Sequence, residues 1–177
     1  MEKAGYHLFE TAFGVAGLAW RGGRIAAVSF PENDRAAVEA QLSRRAADAE
    51  DMAPPSAIAK VRDDIVAIFA GGRPDFAGVD LDDADLPEFD RKVWTLTCDI
   101  PIGETRTYGD IAKALGDVAF SQRVGQALGR NPFPIIVPCH RVVGAGGAMT
   151  GFSAAGGVEA KRRLLKREGA LPPELFD

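Results

Sequence analysis

The sequence predicts an α/β N-terminal domain with a small antiparallel sheet, followed by a mainly α-helical C-terminal domain. Three observations predict this fold class. Short apolar stretches separated by glycine turns fill the first thirty residues, apolar residues recur at helical spacing from residue 88 onwards, and residues 75–90 between these parts are rich in acidic residues with Gly78 and Pro87. We therefore predict two domains, at residues 1–87 and 88–177.

The N-terminal domain is predicted to begin with a meander of three strands, at residues 6–11, 14–20 and 24–30. Pro31 is expected to end the meander, and Asp34 to cap a helix at residues 35–49. A second helix is predicted at residues 56–70, and a short strand at residues 79–81. The apolar face of the second helix comprises Ile58, Val61, Ile65, Ile68 and Phe69.

The C-terminal domain is predicted to contain helices at residues 89–98, 108–115, 121–130 and 158–168. Cys98, near the end of the first, is expected to be a small buried hydrophobe, and Ser121 is expected to cap the third. The short connection at residues 117–120 fits a helix-turn-helix, whose second helix enters a DNA groove. Ordinary helical hairpins have the same pattern, so the helices alone leave both interpretations open.

Composition limits the location and the chemistry of the protein. Of 177 residues 46% are hydrophobic, no apolar run is long enough to span a membrane, and the N-terminus is too mixed for a signal peptide, so we expect a cytoplasmic location. Two cysteines and two histidines provide neither a disulfide framework nor a metal-ligand pattern, so we expect no metal and no cofactor.

Charge is distributed unevenly along the chain. Residues 1–100 contain 11 Lys/Arg and 18 Asp/Glu, a net charge of −7, whereas residues 101–177 contain 10 and 7, a net charge of +3. The C-terminal half is therefore the candidate for contact with a phosphate backbone, although an acidic half could equally serve solubility.

Cys139 is the candidate nucleophile. A thiol attacks as its thiolate, and His140 is the adjacent base. Neighbouring side chains in an extended segment point to opposite faces, so His140 would act around a turn or through a water molecule. Glu168 is the acid available to orient the base. The dipeptide alone would also fit an inert cysteine and histidine at the end of a buried strand.

The surrounding residues identify a family. Residues 131–143, NPFPIIVPCHRVV, closely resemble the active-site signature of the O6-alkylguanine-DNA alkyltransferases. The resemblance extends to PIGETRTYG at residues 101–109, GFS at 151–153 and LLKREG at 164–169, and it covers nearly the whole C-terminal half. The N-terminal half is similar only in layout, which for this family is a ribonuclease-H-like α/β domain.

This resemblance implies DNA repair by direct reversal of damage. An alkyl group would move from O6 of guanine, or as a second candidate from O4 of thymine, onto Cys139 in one irreversible turnover, because the thioether product is a poor leaving group. His140 would be the base acting through water, and Glu168 would orient it. Asn131 would tie the recognition helix to the active-site segment, and Tyr108 would help to rotate the nucleotide and donate to the leaving guanine. The implied partner is double-stranded DNA containing O6-alkylguanine with the base flipped out, bound by a monomer.

The remaining site residues follow from the same resemblance. The predicted DNA contacts are Ser121, Gln122, Arg123, Ala127, Arg130 and Arg141, and the predicted pocket residues are Val142, Phe152 and Ser153. Two of them depart from the family pattern. Gln122 stands where many relatives have an inserted arginine, so we expect weaker, more salt-sensitive DNA binding with repair intact. Phe152 stands where many have a tyrosine, which removes one hydroxyl contact.

Two other classes of protein remain as alternatives. A non-catalytic alkylguanine-binding protein or regulator would bind damaged DNA without transfer, but relatives of that kind replace the acceptor cysteine, which is present here as Cys139. A cysteine hydrolase or redox protein would need an oxyanion motif or a resolving cysteine, and neither is recognisable near Cys139.

Overall fold

The computed structural model describes residues 3–152, 154 and 156–172, and the chain divides into two compact units. The N-terminal unit runs to Asp85 and also includes residues 132–136, and the C-terminal unit comprises the rest. The sequence placed residues 132–136 in the C-terminal domain. They belong to the N-terminal unit because the Val28 N–H donates to the Pro132 carbonyl (2.9 Å) and the fully buried Phe133 ring lies under the Arg45 guanidinium, 5.9 Å from its centroid.

A four-stranded sheet forms the centre of the N-terminal unit, in the order β3-β2-β1-β4. Its strands are β1 (Ala4–Thr11), β2 (Gly14–Arg21), β3 (Arg24–Glu32) and β4 (Glu50–Asp51), of which β4 is parallel to β1 and the others are antiparallel. The three predicted strands are confirmed. The prediction that Pro31 ends the meander is wrong: β3 continues through it, which an edge strand tolerates because no neighbour needs the missing N–H.

Helices α1 (Arg35–Ser43) and α2 (Ser56–Phe69) pack against this sheet. The Asp34 carboxylate caps α1 by accepting from the Ala36 N–H (2.9 Å), as predicted. Packing is close because Gly17 has no side chain: a Cβ there would lie 2.7 Å from a Val38 methyl. The predicted apolar face of α2 is buried at all five positions.

Two details of the N-terminal unit differ from the sequence prediction. Helix α1 ends at Ser43 rather than at residue 49, and the chain then forms β4, a two-residue strand too short to show a period. The strand predicted at residues 79–81 is reduced to one bridge between Ile25 and Leu81.

The C-terminal unit contains helices α3 (Glu88–Cys98), α4 (Tyr108–Ala114), α5 (Ser121–Gly129) and α6 (Gly157–Arg167). Short strands β5 (Arg106–Thr107) and β6 (Val142–Val143) pair in parallel, and 3-10 turns occupy Val118–Phe120, Cys139–Arg141 and Ala145–Gly147. The Trp94 indole N–H donates to the Ala127 carbonyl (3.0 Å). This buried bond fastens α5 to α3.

Two predictions in this unit are wrong. Cys98 is exposed rather than buried, because the inward position at this end of α3 belongs to Thr97, whose hydroxyl donates to the Val93 carbonyl (2.8 Å). Ser121 does not cap α5: it is the first helical residue, and its hydroxyl donates back to the Val118 carbonyl (2.7 Å). The 3-10 turn directly before α5 occupies the place of a cap.

Ile135 has a left-handed backbone, with φ of 77°, although it is β-branched and its side chain is 1% exposed. This conformation is strained for such a residue and persists where packing enforces it. Among the described residues, no helix is both long and apolar enough to cross a membrane.

Candidate active site

Cys139 begins a 3-10 turn rather than an extended segment. Its N–H donates to the Val137 carbonyl (2.7 Å), and the Arg141 N–H donates to the Pro138 carbonyl (2.9 Å). The turn leaves Cys139 partly exposed and places His140 in the interior, where it is 1% exposed. A partly exposed cysteine therefore adjoins a histidine shielded from solvent.

The His140 imidazole is held by a buried carboxylate. Its Nε2 lies 2.8 Å from Glu168 Oε1, and its Nδ1 is buried without a hydrogen bond to any described residue. Burial, and further the charges of Arg141 and Lys161, lowers the pKa of His140 against the opposing effect of Glu168. The imidazole is therefore neutral at pH 7.

Arg141 completes this buried cluster. Its Nε and Nη2 donate to the two oxygens of Glu168 (3.1 and 2.6 Å), and Nη1 donates to the Ile100 carbonyl (2.9 Å). Burial alone would raise the pKa of Glu168, but the bonds and charges of His140 and Arg141 lower it well below its usual range. The prediction that Arg141 contacts DNA is wrong, because its guanidinium is 7% exposed and its donors are used inside the protein.

An ionised Glu168 fixes the histidine tautomer. A carboxylate only accepts hydrogen bonds, so the proton of the neutral imidazole is on Nε2. The Nδ1 atom of His140 then carries a lone pair, and it is the basic atom of the ring.

Asn131 and Lys161 both lower the pKa of the Cys139 thiol. The Asn131 amide donates to the Val137 carbonyl (3.0 Å) and also hydrogen-bonds the thiol. Burial raises the pKa of Cys139, whereas the Asn131 bond and the positive charge of Lys161 oppose the rise without cancelling it. The resting group is thus a thiol that needs a base.

Lys161 is the site residue that the sequence reasoning missed. It is 1% exposed, and its ammonium donates to the carbonyls of Val142 (2.6 Å) and Thr150 (3.1 Å). In the sequence, Lys161 is one of five basic residues of the last helix. A signal was present: Lys161 stands three, four and seven residues before Leu164, Leu165 and Glu168, which is the spacing of the buried face of α6.

Tyr108 begins α4 behind a capping box of Thr107 and Asp110. Its ring is half-buried, and its hydroxyl donates to the Thr150 carbonyl (3.0 Å), which also accepts from Lys161. Burial raises the pKa of Tyr108, so the phenol keeps its proton at neutral pH. The rings of Tyr108 and Phe152 each lie 6.0 Å from the Lys161 ammonium.

The predicted DNA contacts on α5 differ in their exposure. Gln122 and Arg123 are exposed, and Ser121 is partly so. Ala127 is fully buried under α3, so its prediction as a DNA contact is wrong. Arg130 is exposed, but its guanidinium makes two 2.9 Å bonds to the buried Asp90 carboxylate.

Comparisons with known proteins agree with this geometry. Residues 88–170 match the family described as "6-O-methylguanine DNA methyltransferase, DNA binding domain". A methylated-DNA–protein-cysteine methyltransferase of Mycobacterium tuberculosis is 44% identical over 126 residues, which cover 70% of this chain and 74% of that protein. The chain belongs to the methylated-DNA–protein-cysteine methyltransferase family.

Two further relatives show the extent of the similarity to this methyltransferase family. A Methanosarcina acetivorans protein of the same name is 54% identical over 83 residues, 47% of this chain and 52% of that protein, so the chain spans about half of its length. The crystal structure of Mycobacterium tuberculosis OGT in complex with DNA superposes with a TM-score of 0.73 at 35% identity, covering 97% of this chain and 99% of that one. The fold is therefore that of known methyltransferases of this family.

The predicted catalytic residues of this methyltransferase family member all lie in the C-terminal unit. The structure joins His140 to Glu168 and Asn131 to Cys139, and it places the Tyr108 ring beside Lys161. The predicted pocket residue Val142 has a fully buried side chain, and its carbonyl accepts from the Lys161 ammonium. The predicted pocket residue Ser153 lies outside the described residues.

We expect the stability of the folded chain to fall as the pH is lowered from about 4.5 to about 2. The fold holds the pKa of Glu168 at about 2, below its ordinary value of 4.5, so the unfolded chain binds the proton first. Stability present above pH 4.5 is therefore lost as the pH falls through the folded pKa, by roughly 3 kcal/mol in total. Urea unfolding of the parent and of Glu168→Gln across this range measures it. Equal pH dependence in the two proteins would contradict the assignment.

Proposed function

We propose that this chain repairs double-stranded DNA by transferring a methyl or other alkyl group from O6 of a flipped-out guanine to the Sγ atom of Cys139. O4 of thymine is the second candidate donor. The observation that carries the proposal is a partly exposed cysteine next to a buried, neutral histidine whose basic nitrogen makes no hydrogen bond to a described residue. Family membership supports methyl transfer to a protein cysteine, which is the activity that the family's name states.

Proton transfer comes first in this mechanism. His140 Nδ1 accepts the Cys139 proton through a bridging water, and the imidazolium formed is stabilised by the ionised Glu168. Arg141 keeps that carboxylate oriented by donating to both of its oxygens. The thiolate gains its remaining stabilisation from the Asn131 amide and the Lys161 charge.

Alkyl transfer follows as a single displacement. Sulfur forms a bond to the alkyl carbon, the bond from that carbon to O6 breaks, and its electron pair remains on the guanine. Tyr108 supplies a hydrogen bond or proton to the leaving base. To do so its hydroxyl turns away from the Thr150 carbonyl, which stays satisfied by Lys161.

DNA binding is assigned to the tandem helices α4 and α5. We propose that they act as a helix-turn-helix, with the exposed first turn of α5 towards the duplex. The match of residues 88–170 to a DNA binding domain and the DNA complex of the mycobacterial relative support this assignment. We also keep the ribonuclease-H-like description of the N-terminal unit as a proposal, supported by its meander and parallel fourth strand.

The monomer is proposed as the working form because Cys139, His140, Glu168, Asn131 and Tyr108 come from one chain. Incubation with a duplex containing one O6-methylguanine should add one methyl group per chain, detected by intact mass. Peptide mapping should place it on Cys139. An undamaged duplex is the control, and absence of the methyl group or its presence on Cys98 would contradict the proposed function.

His140→Asn is expected to lower the single-turnover repair rate constant by about 10² to 10⁴-fold, because the thiol loses its base. His7→Asn, which changes the half-buried histidine of β1, is the matched control and should react like the parent. The measurement is quenched-flow methyl transfer at saturating protein, with circular dichroism to show that both variants fold. A His140→Asn variant as fast as the parent would exclude His140 as the base.

Gln122→Arg should bind the methylated duplex about tenfold more tightly and repair it faster, because a guanidinium can stack in the gap left by the flipped base. Gln126→Arg adds the same charge one turn further along the exposed side of α5 and should have a smaller effect. Anisotropy titrations and single-turnover assays provide both values. A Gln122→Arg variant that repairs more slowly than the parent, or at the same rate, would show that Gln122 is no handicap.

A further inference from the structure

Arg123 lies on an aromatic surface formed by Phe89 of α3 and Phe120 of the preceding 3-10 turn. Its guanidinium carbon is 3.9 Å from the centroid of the Phe89 ring and 5.5 Å from that of the Phe120 ring. The two rings meet edge to face, with centroids 5.9 Å apart. We call these two rings the aromatic platform.

Stacking leaves the hydrogen-bond donors of Arg123 available. A guanidinium that stacks on a ring uses its flat face, and its five N–H groups point outwards in its own plane. The Arg123 side chain is exposed and makes no hydrogen bond or ion pair to the described residues. The aromatic platform therefore holds the Arg123 guanidinium in place and leaves its hydrogen-bond donors available.

Arg130, which directly follows α5, has its donors occupied. Both of its bonds go to the buried Asp90 carboxylate, so these donors are occupied. The other acidic side chain at this end of α3, Glu88, pairs with Lys92 (3.2 Å). No carboxylate among the described residues thus pairs with Arg123.

We propose that Arg123 and its aromatic platform bind a phosphate of the DNA backbone, which makes the beginning of α3 part of the DNA interface. Arg123 stands in the first turn of α5, where the helix dipole also favours an anion. A phosphodiester is the anion that matches a planar fork of donors, and the site supplies a positive charge beside the neutral Gln122. The inference rests on the proposed function in that DNA is the ligand.

Salt dependence of DNA binding tests the site. The affinity for an undamaged duplex is measured by anisotropy between 50 and 200 mM KCl for the parent, Arg123→Met and Arg123→Lys. One lost phosphate contact reduces the steepness of log K against log salt by about 0.9. Between 50 and 200 mM KCl, the fold-loss of affinity of Arg123→Met should therefore be about 3.5 times smaller than that of the parent. Arg123→Lys keeps the charge and should keep the slope.

Two more variants separate the platform from the charge. Phe89→Leu removes the ring nearer to Arg123. Like Arg123→Met, it should bind DNA more weakly than the parent, because the guanidinium is no longer held in place. Lys60→Met removes an exposed charge from α2 of the other unit and should leave the slope unchanged. Should Phe89→Leu fail to fold, the exposed Arg123→Met still gives a result.

If Arg123→Met binds DNA with the same salt slope as the parent, the inference is overturned. If its melting temperature is also lower than that of the parent, Arg123 contributes to packing alone. If Phe89→Leu bound DNA with the affinity of the parent, the aromatic platform would have no part in holding Arg123 for DNA binding. Methyl uptake by the parent is measured separately. If the parent takes up a methyl group but Arg123→Met keeps the salt slope of the parent, only this inference is contradicted. A chain that binds DNA with the expected slope change but takes up no methyl group contradicts only the proposed function.

Discussion

Cys139→Ala is expected to take up no methyl group from a duplex containing O6-methylguanine, a complete loss of transfer. Alanine has no atom that can form the new bond, and no other side chain combines a thiol with the His140 base. Intact-mass analysis after incubation with excess duplex measures the loss. The expected effect is larger than that of any substitution that leaves the sulfur in place.

Cys98→Ala is the matched control for this experiment. It removes the other thiol of the chain, which is exposed at the end of α3, and it should gain one methyl group like the parent. If Cys139→Ala still gained a methyl group, the acceptor would be another residue and the central assignment would fail. Binding of the same duplex by Cys139→Ala shows whether the variant still folds.

Arg141→Met should lower the free energy of unfolding by about 3–5 kcal/mol, the largest stability change expected for a single side chain of this site. The reason is that Glu168 remains buried while three hydrogen bonds of Arg141 disappear, two of them to that carboxylate. Urea denaturation at pH 7 measures the change. Repair should also slow, because the carboxylate proposed to orient His140 loses two of its hydrogen bonds.

Arg106→Met is the control for charge and length. Arg106 pairs with Glu104 at 3.3 Å where both side chains are largely solvated, so its loss should lower the free energy of unfolding by less than about 1 kcal/mol. Combining Arg141→Met with Glu168→Gln should recover part of the lost stability, because no unpaired carboxylate then stays buried. A loss of under about 1 kcal/mol for Arg141→Met alone would show that the cluster contributes little.

The sequence predicted the elements that carry a strong period. The three strands of the meander and the five buried positions of α2 follow from alternating or helical apolar spacing, and the cap at Asp34 follows from residue chemistry. Weak local signals failed. The two residues of β4 pair with β1 only because the folded chain brings them there, and β3 passes through Pro31 because it lies at an edge.

The candidate site was predictable in its residues and less so in their surroundings. The motif around Cys139 predicted which residues serve as nucleophile, base and acid, and these roles stay proposals. Whether a charge faces solvent depends on its neighbours in space. Arg141 and Lys161 look like surface cations in the sequence, yet both are buried because a carboxylate or carbonyl oxygens accept their hydrogen bonds. Ala127 was misassigned because the packing of α3 decides which side of α5 is buried, and the sequence of α5 alone does not reveal that side.

The membership of residues 132–136 in the N-terminal unit limits how the protein can be divided. Phe133, Ile135 and Ile136 are each at most 5% exposed, and the left-handed Ile135 relies on that packing. A fragment of residues 88–177 would carry these side chains without the surroundings that bury them. Their exposed apolar surface would favour aggregation, and the strained backbone just before Cys139 would relax. Expressing the two halves as separate polypeptides therefore removes the packing that fixes the backbone of residues 132–136, just before Cys139.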